Sequence, residues 1–233
     1  MMLVKKEPVS WRDLQKCVAE IFEDMNYQVL EDAKSFELRG GDTVDLDVWV
    51  MDKESPSKFI YIIECKYWKK KVNKEKVHAL RTVVSDAGAS IGYIISKSEF
   101  QEGALEAAKQ TNIRLLTWDE FQMTFENQWV KKMLTRSKEK VDIITSIPDL
   151  LAKRSFDENI TINVLKLIAE LSNIAHGYTH EDFLYKKNPF NTYNKDGSIK
   201  QKHDNRKKFF EDYFKQLDEY IKKLEKLIGI KLT

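Results

Sequence analysis

The sequence predicts an α/β domain over residues 1–126, a mixed sheet flanked by helices, followed by a mainly α-helical C-terminal domain over residues 127–233. Three observations carry this. Val44, Leu46, Val48 and Val50 alternate with Asp45, Asp47, Trp49 and Met51, the period of a strand with two unlike faces. Residues 59–66 (FIYIIECK) are apolar until the last positions, as in a central strand. Beyond them strand and helix patterns alternate up to about Asn127, after which strand candidates cease.

Taken in order, the first element is a helix. Ser10 suits its N-cap, with Asp13 completing an imperfect capping box, and Leu14, Val18, Ile21, Phe22 and Met25 form one apolar stripe that Asn26 ends. Residues 27–30 and 36–38 read as two short strands, and Gly40-Gly41 breaks the chain. The segment DKESPSK, residues 52–58, reads as a hairpin turn between the alternating strand and the apolar one. A helix follows over 74–86, with Val77, Leu80, Val83 and Val84 on its inner face, then a buried strand over 91–96. An alanine-rich helix over 101–110 places Gly103 at a close-packed point, and a short strand follows over 113–116. Thr117 caps the next helix, with Glu120 as its capping-box partner. A domain boundary is expected between Asn127 and Lys140, then helices over 141–151, 160–174 and 205–228, with loops over 176–187 and 188–198. The last helix carries a wide apolar face, including Tyr213, Leu217, Ile221 and Leu224, that must bury in its own domain or against a second subunit.

Composition excludes more than it selects. The 233 residues are 42% hydrophobic and 33% charged, but the net charge is only +2, so a nucleic-acid site has to be a local patch. No apolar run approaches the ~20 residues that span a bilayer, so no membrane association is expected. The segment MMLVKKEPVSWRDL has neither a long apolar region nor a small-residue cleavage site, which predicts no signal peptide. Cys17 and Cys65 sit inside apolar patterns and read as reduced thiols of a cytoplasmic protein. There is no CxxC; His176 and His180 have helical metal-pair spacing but are separated by Gly177 and lack a third ligand. The basic stretch over 200–208 reads as a solvated face that can also contact phosphates.

The chemistry concentrates at the end of the apolar strand. Glu64 and Lys66, at i and i+2, project from one face while Cys65 points into the core. On the neighbouring strand Asp45 and Asp47 also share a face, and strands about 4.8 Å apart let one of them converge on Glu64. Two carboxylates there make a hard-oxygen site suited to Mg²⁺, with Mn²⁺ as a substitute. Magnesium keeps waters, one of which can act as nucleophile, and a lysine beside it can stabilise charge on a phosphoryl oxygen. Tyr67 and Trp68 follow directly, then Lys69, Lys70, Lys71, Lys74 and Lys76, a patch able to track phosphates with aromatics for stacking.

These residues resemble the PD-(D/E)XK nucleases. Asp47, sixteen intervening residues, then Glu64-Cys65-Lys66 fit that motif. The surroundings, VDLDVWV, IIECKYWKKKV and GYIISKSEFQEGALEAAKQTNIRLLTWDEF, are similar to the Mrr-type restriction endonuclease branch over residues 10–125. The resemblance implies a restriction-endonuclease-like fold and divalent-metal-dependent cleavage of DNA in a restriction or defence role. It implies Asp47, Glu64 and the backbone carbonyl of Cys65 as metal ligands, and Lys66 as catalytic base or charge stabiliser. Family members often carry a glutamate early in the first helix; here the matching residue is Gln15, which supports the site without charge. Asp45 competes with Asp47 for the ligand role, and Asp47 fits the family's apolar triplet better. Two alternatives stand beside this reading: a junction-resolving or repair nuclease, and a non-catalytic DNA-binding adaptor. A homodimer, or a partner protein bound through the helical half, fits any of these.

Overall fold

The computed structural model describes residues 3, 7–145, 158–176, 190–193, 199–203 and 206–229. The chain divides into two compact units, Met1–Trp129 and Val130–Thr233.

The first unit runs α1 (Trp11–Asp24), β1 (Gln28–Glu37), β2 (Thr43–Met51), β3 (Ile60–Lys66), α2 (Lys74–Asp86), β4 (Ile91–Ser96), α3 (Glu102–Ala108), β5 (Ile113–Thr117) and the start of α4 (Trp118–Thr145). The strands form one five-stranded sheet in chain order. β1, β2 and β3 pair antiparallel, whereas β3, β4 and β5 pair parallel. This is the expected mixed sheet flanked by helices.

Alternation along β3 divides the core into two layers. Tyr61 faces α1, its ring 6.2 Å from that of Phe22, which also meets Phe121 and Phe125 of α4. Ile62 faces the other way, into a cluster with Val77, Leu80, Val84, Ile94 and Ile113 beneath α2. In α1 the Ser10 hydroxyl accepts the Asp13 N–H at 3.1 Å, and Asn26, at φ 67°, turns the chain away after the last turn. The hairpin turn is built by Asp52, whose Oδ1 accepts the N–H groups of Glu54 and Ser55 at 3.0 and 3.2 Å.

Three expectations need correction. The two short strands proposed over 27–38 are one strand, β1, whose register slips between Ala33 and Phe36. Asp32 and Ser35 both take φ 50° there, and such a bulge erases the alternation by which a strand is read. The close-packed glycine is Gly92, not Gly103. A Cβ on Gly92 would lie 2.6 Å from Val84 Cγ2 and 2.8 Å from Ile113 Cδ1, whereas at Gly103 it would meet only Lys74 Cδ at an ordinary 3.8 Å. The division between the two units, after Trp129, falls inside α4, which runs on unbroken because no glycine or proline interrupts Thr117–Thr145. Its start is the predicted capping box, with Thr117 N–H donating to Glu120 Oε2 at 2.8 Å and Glu120 N–H to Thr117 Oγ1 at 3.3 Å.

The third correction lies in the second unit. This holds the rest of α4, then α5 (Glu158–His176), β6 (Phe190–Tyr193), β7 (Ile199–His203) and α6 (Arg206–Ile228). β6 and β7 form an antiparallel pair where no strand was expected. Four and five residues, mostly polar, are too few for a period-two signal. α5 and α6 pack together. Val164 and Ile168 of α5, and Tyr213, Leu217, Ile221 and Leu224 of α6, are buried. His180, the loop over 177–187 and residues 146–151 lie outside the described residues. Among the described residues no helix is long and apolar enough to cross a membrane.

Candidate active site

The β2–β3 ladder runs from Met51 opposite Ile60 to Val48 opposite Ile63, and Asp47 and Glu64 come next on their strands. Asp47 closes the ladder with its side chain. Its Oδ2 accepts the Cys65 N–H at 2.7 Å, and its Oδ1 accepts Gln15 Nε2 at 2.9 Å. Strict alternation would turn Asp47, like Trp49, toward the α2 face; instead its carboxylate meets α1, and Leu46 joins the α2-side core. Gln15 is only 2% exposed, so α1 brings a buried amide to bear on a half-buried carboxylate.

The main chain of β3 alternates direction here. In an extended strand one residue's N–H and C=O point toward the same neighbour. Cys65 donates toward β2, so its carbonyl also lies on the Asp47 side. The Lys66 carbonyl lies on the opposite side, where it accepts the Lys97 N–H at 2.9 Å. Asp47, Glu64 and the Cys65 carbonyl therefore gather at one corner of the sheet.

Lys66 Nζ forms an ion pair with Glu64 Oε1 and lies 5.3 Å from the Trp68 ring centroid. The Lys66 side chain is 12% exposed and that of Glu64 32%, so the pair is partly shielded but open to a ligand. Burial, and next the Glu64 charge, push the Asp47 carboxyl above its usual pKa; the Cys65 N–H, Lys66 and Gln15 oppose this. Burial pushes the Cys65 thiol well up, so that thiol is neutral and inert.

The remaining candidates divide. Asp45 is not brought to this corner: its carboxylate holds the β1 bulge, accepting from Lys34 Nζ at 3.2 Å and from the Ser35 N–H at 3.1 Å. These bonds lower its pKa, the Ser35 N–H first and Lys34 second. The irregularity in β1 thus separates two aspartates that spacing alone placed on one face. Tyr67 is half-buried, while Trp68, Lys69, Lys70, Lys74 and Lys76 are exposed beyond the site. Lys71 is drawn instead into an ion pair with Glu99 at 2.6 Å.

One pair of residues had no assigned role in the sequence reading. The fully buried Ser96 donates its hydroxyl to the Lys66 carbonyl at 3.3 Å and accepts the Ser98 N–H at 3.2 Å. The Ser98 hydroxyl donates to the Lys70 carbonyl at 2.7 Å. Together with Val72 N–H to Glu99 O at 3.0 Å, these bonds fasten the end of β3 and the lysine-rich loop to the end of β4. The available signal was a serine ending a strand that is otherwise apolar.

The donor set fits a small divalent cation. Among the described residues no three His, Cys, Asp or Glu side chains gather as a metal cluster. What gathers is two carboxylates and a main-chain carbonyl, all hard oxygens. Mg²⁺ is commonly held by one or two carboxylates, with water and substrate phosphate completing its shell.

Comparison with known proteins bears on this corner. The family model of the Mrr catalytic domain, described as restriction endonuclease, matches residues 7–125. A crystal structure of a protein of unknown function, AF1548, is 16% identical with a TM-score of 0.41, covering 72% of this chain and 99% of its own. The DNA modification-dependent restriction endonuclease AspBHI is 11% identical with a TM-score of 0.29, covering 52% of this chain and 38% of its own. No curated protein matches the chain. The family match spans just over half of the 233 residues and contains the whole corner built by Asp47, Glu64 and Lys66, and the chain accordingly belongs to the Mrr-type restriction endonuclease family.

Proposed function

We propose that this protein hydrolyses phosphodiester bonds within DNA in a divalent-metal-dependent reaction, in a restriction or defence role. The observation that carries the reading is the corner itself. Gln15 and the Cys65 N–H orient Asp47 beside Glu64, and Lys66 stands on the next inward-facing position of the same strand.

Asp47, Glu64 and the Cys65 carbonyl would hold Mg²⁺ or Mn²⁺. When bound, such an ion supplies Lewis acidity toward the phosphate and makes nearby water more acidic. The chain's own groups do the rest. Asp47 is fixed in one rotamer by two donors, so its oxygens need no reorganisation when a ligand arrives. Lys66, held by Glu64, offers its ammonium to the charge that develops on the phosphoryl oxygens. The exposed Lys69, Lys70 and Lys74 contact flanking phosphates, and the clamp from Ser96 and Ser98 keeps their loop in register with Lys66. One such corner cuts one strand at a time, so a double-strand break takes either two copies of the chain or two successive cuts by one.

The test is cleavage of supercoiled plasmid, methylated and unmethylated, by wild type and Lys66→Ala in Mg²⁺, Mn²⁺ or EDTA. Nicking or linearisation that needs the metal and is lost in the variant supports the reading. Tight, salt-dependent binding without turnover in any metal supports a non-catalytic adaptor instead.

A further inference from the structure

The charge of the chain is divided unevenly between its two units. Met1–Trp129 holds 18 Lys and Arg against 22 Asp and Glu, a net −4, whereas Val130–Thr233 holds 21 against 15, a net +6. Residues 186–208 account for all of that excess, with eight Lys and Arg against two Asp and no Glu, again a net +6. The unit that carries the catalytic corner is therefore acidic as a whole, and its lysine-rich loop is a local exception.

The fold gathers the basic segment. β6 and β7 form a two-stranded antiparallel ribbon in which Asn191 pairs with Lys202 and Thr192 with Gln201, between the end pairs Phe190–His203 and Tyr193–Ile199. Lys200 stands at the irregularity in that pairing. Only Asp204 and Asn205 separate β7 from α6, and β7 lies against α6. The first turn of α6 holds Arg206, Lys207 and Lys208 and no acidic residue. The helix dipole is positive at that end and disfavours cations there. The second strand of the ribbon and the start of α6 thus bring five cations, Lys200, Lys202, Arg206, Lys207 and Lys208, to one junction. A lysine on an edge strand is enough to deter unwanted pairing. Five at one junction repel one another unless a polyanion offsets them.

We propose that the β6–β7 ribbon and the start of α6 form a second surface for duplex DNA, in which Lys200, Lys202, Arg206 and Lys207 neutralise backbone phosphates. This rests on the nuclease reading above for the identity of the polyanion. Duplex DNA carries one negative charge per about 1.7 Å of its axis, so a unit of net −4 is repelled by it at long range. The segment of net +6 supplies the missing attraction. A two-stranded ribbon also has the width that the major groove admits, which lets the lysines follow the phosphates along its walls.

The test measures binding and cutting separately, on the full chain. In EDTA, fluorescence anisotropy of a labelled duplex is followed over a series of salt concentrations. The ribbon variant is Lys200→Gln/Lys202→Gln/Lys207→Gln. Its control, Lys215→Gln/Lys222→Gln/Lys226→Gln, removes the same charge from exposed positions further along α6. Each is first checked by thermal melting, and the three single ribbon variants replace the triple one if it does not fold. The slope of log affinity against log salt should flatten by about 0.9 for each lysine that meets a phosphate, hence by about 2 to 3 in the triple variant. The loss should be alike on duplexes of unrelated sequence, and the control should keep the wild-type slope. A ribbon variant with the wild-type slope, or a control that flattens as much, overturns the proposal. So does loss of binding to vesicles of anionic phospholipid with the DNA slope unchanged. Cleavage in Mg²⁺ then separates the two readings. Ribbon-dependent binding without cutting refutes the nuclease and leaves the DNA surface intact. Cutting by a ribbon variant whose slope is unchanged refutes the surface and leaves the nuclease intact.

Discussion

Gln15 Nε2 donates to Asp47 Oδ1 at 2.9 Å, so a buried neutral amide on the first helix holds the carboxylate proposed as a metal ligand. The bond fixes Asp47 without adding charge. Removing it in Gln15→Ala frees one Asp47 oxygen, and losing such an orienting partner typically weakens metal affinity or activity by about 10- to 100-fold. Gln15→Glu adds a third carboxylate, and calorimetric titration should show tighter Mn²⁺ binding than in wild type. Unchanged affinity in both variants would mean that Gln15 only fills space.

Asp45 and Asp47 should behave as opposites. Asp45→Ala should cleave DNA at near wild-type rate, because its carboxylate is committed to Lys34 and Ser35. Its effect should appear in stability instead. The folded-state pKa of Asp45 lies below the ordinary value, so its contribution is present above the unfolded pKa and lost as the pH falls through the folded one. The difference in melting temperature between wild type and Asp45→Ala should therefore shrink in acid and in high salt. A variant that folds normally but does not cleave would place Asp45 in the site after all.

Ser96→Ala tests the clamp between β4 and the end of β3. The variant leaves the Ser98 N–H and the Lys66 carbonyl each short of one partner in a buried place, at a cost of about 1–3 kcal/mol by urea unfolding. The Lys66 side chain loses its fixed base as well, so the turnover number should fall while the Michaelis constant for DNA changes little. A pure stability loss with wild-type turnover would limit Ser96 to the fold.

Gly92→Ala should destabilise the first unit by about 1–3 kcal/mol, since its Cβ would sit 2.6 Å from Val84 Cγ2 and 2.8 Å from Ile113 Cδ1. Both neighbours are side-chain ends, so adding Val84→Ala should recover part of the loss. Thermal melting of the single and double variants checks this.

What the sequence discloses and what it hides follow one physical rule. Elements with an uninterrupted period were legible: helix 74–86 and strand 91–96 emerge with the predicted bounds, because Val77, Leu80 and Val84, and the apolar run IGYIIS, each obey one repeat. The Thr117–Glu120 box was legible because a cap is a local contact. β1 was not, because the bulge at Asp32 and Ser35 breaks its period. That same bulge takes Asp45 out of contention, a choice that spacing along β2 left open. Glu64 and Lys66 were readable as misfits at the end of an apolar strand. Their support, Ser96 and Ser98, depends on a parallel pairing thirty residues away in sequence, of which the only local trace is a serine ending the apolar run IGYIIS. The hairpin of β6 and β7 was too short and too polar to announce itself.

The central claim is that the corner formed by Asp47, Glu64 and Lys66 cuts DNA with a divalent metal. The most direct measurement is single-turnover cleavage by Glu64→Gln, which preserves the shape of the side chain but removes its charge. The account predicts a folded protein with the wild-type melting temperature, binding DNA as wild type does in EDTA, and showing no metal-dependent cleavage. Cleavage by the purified Glu64→Gln protein at the wild-type rate in Mg²⁺ would contradict it.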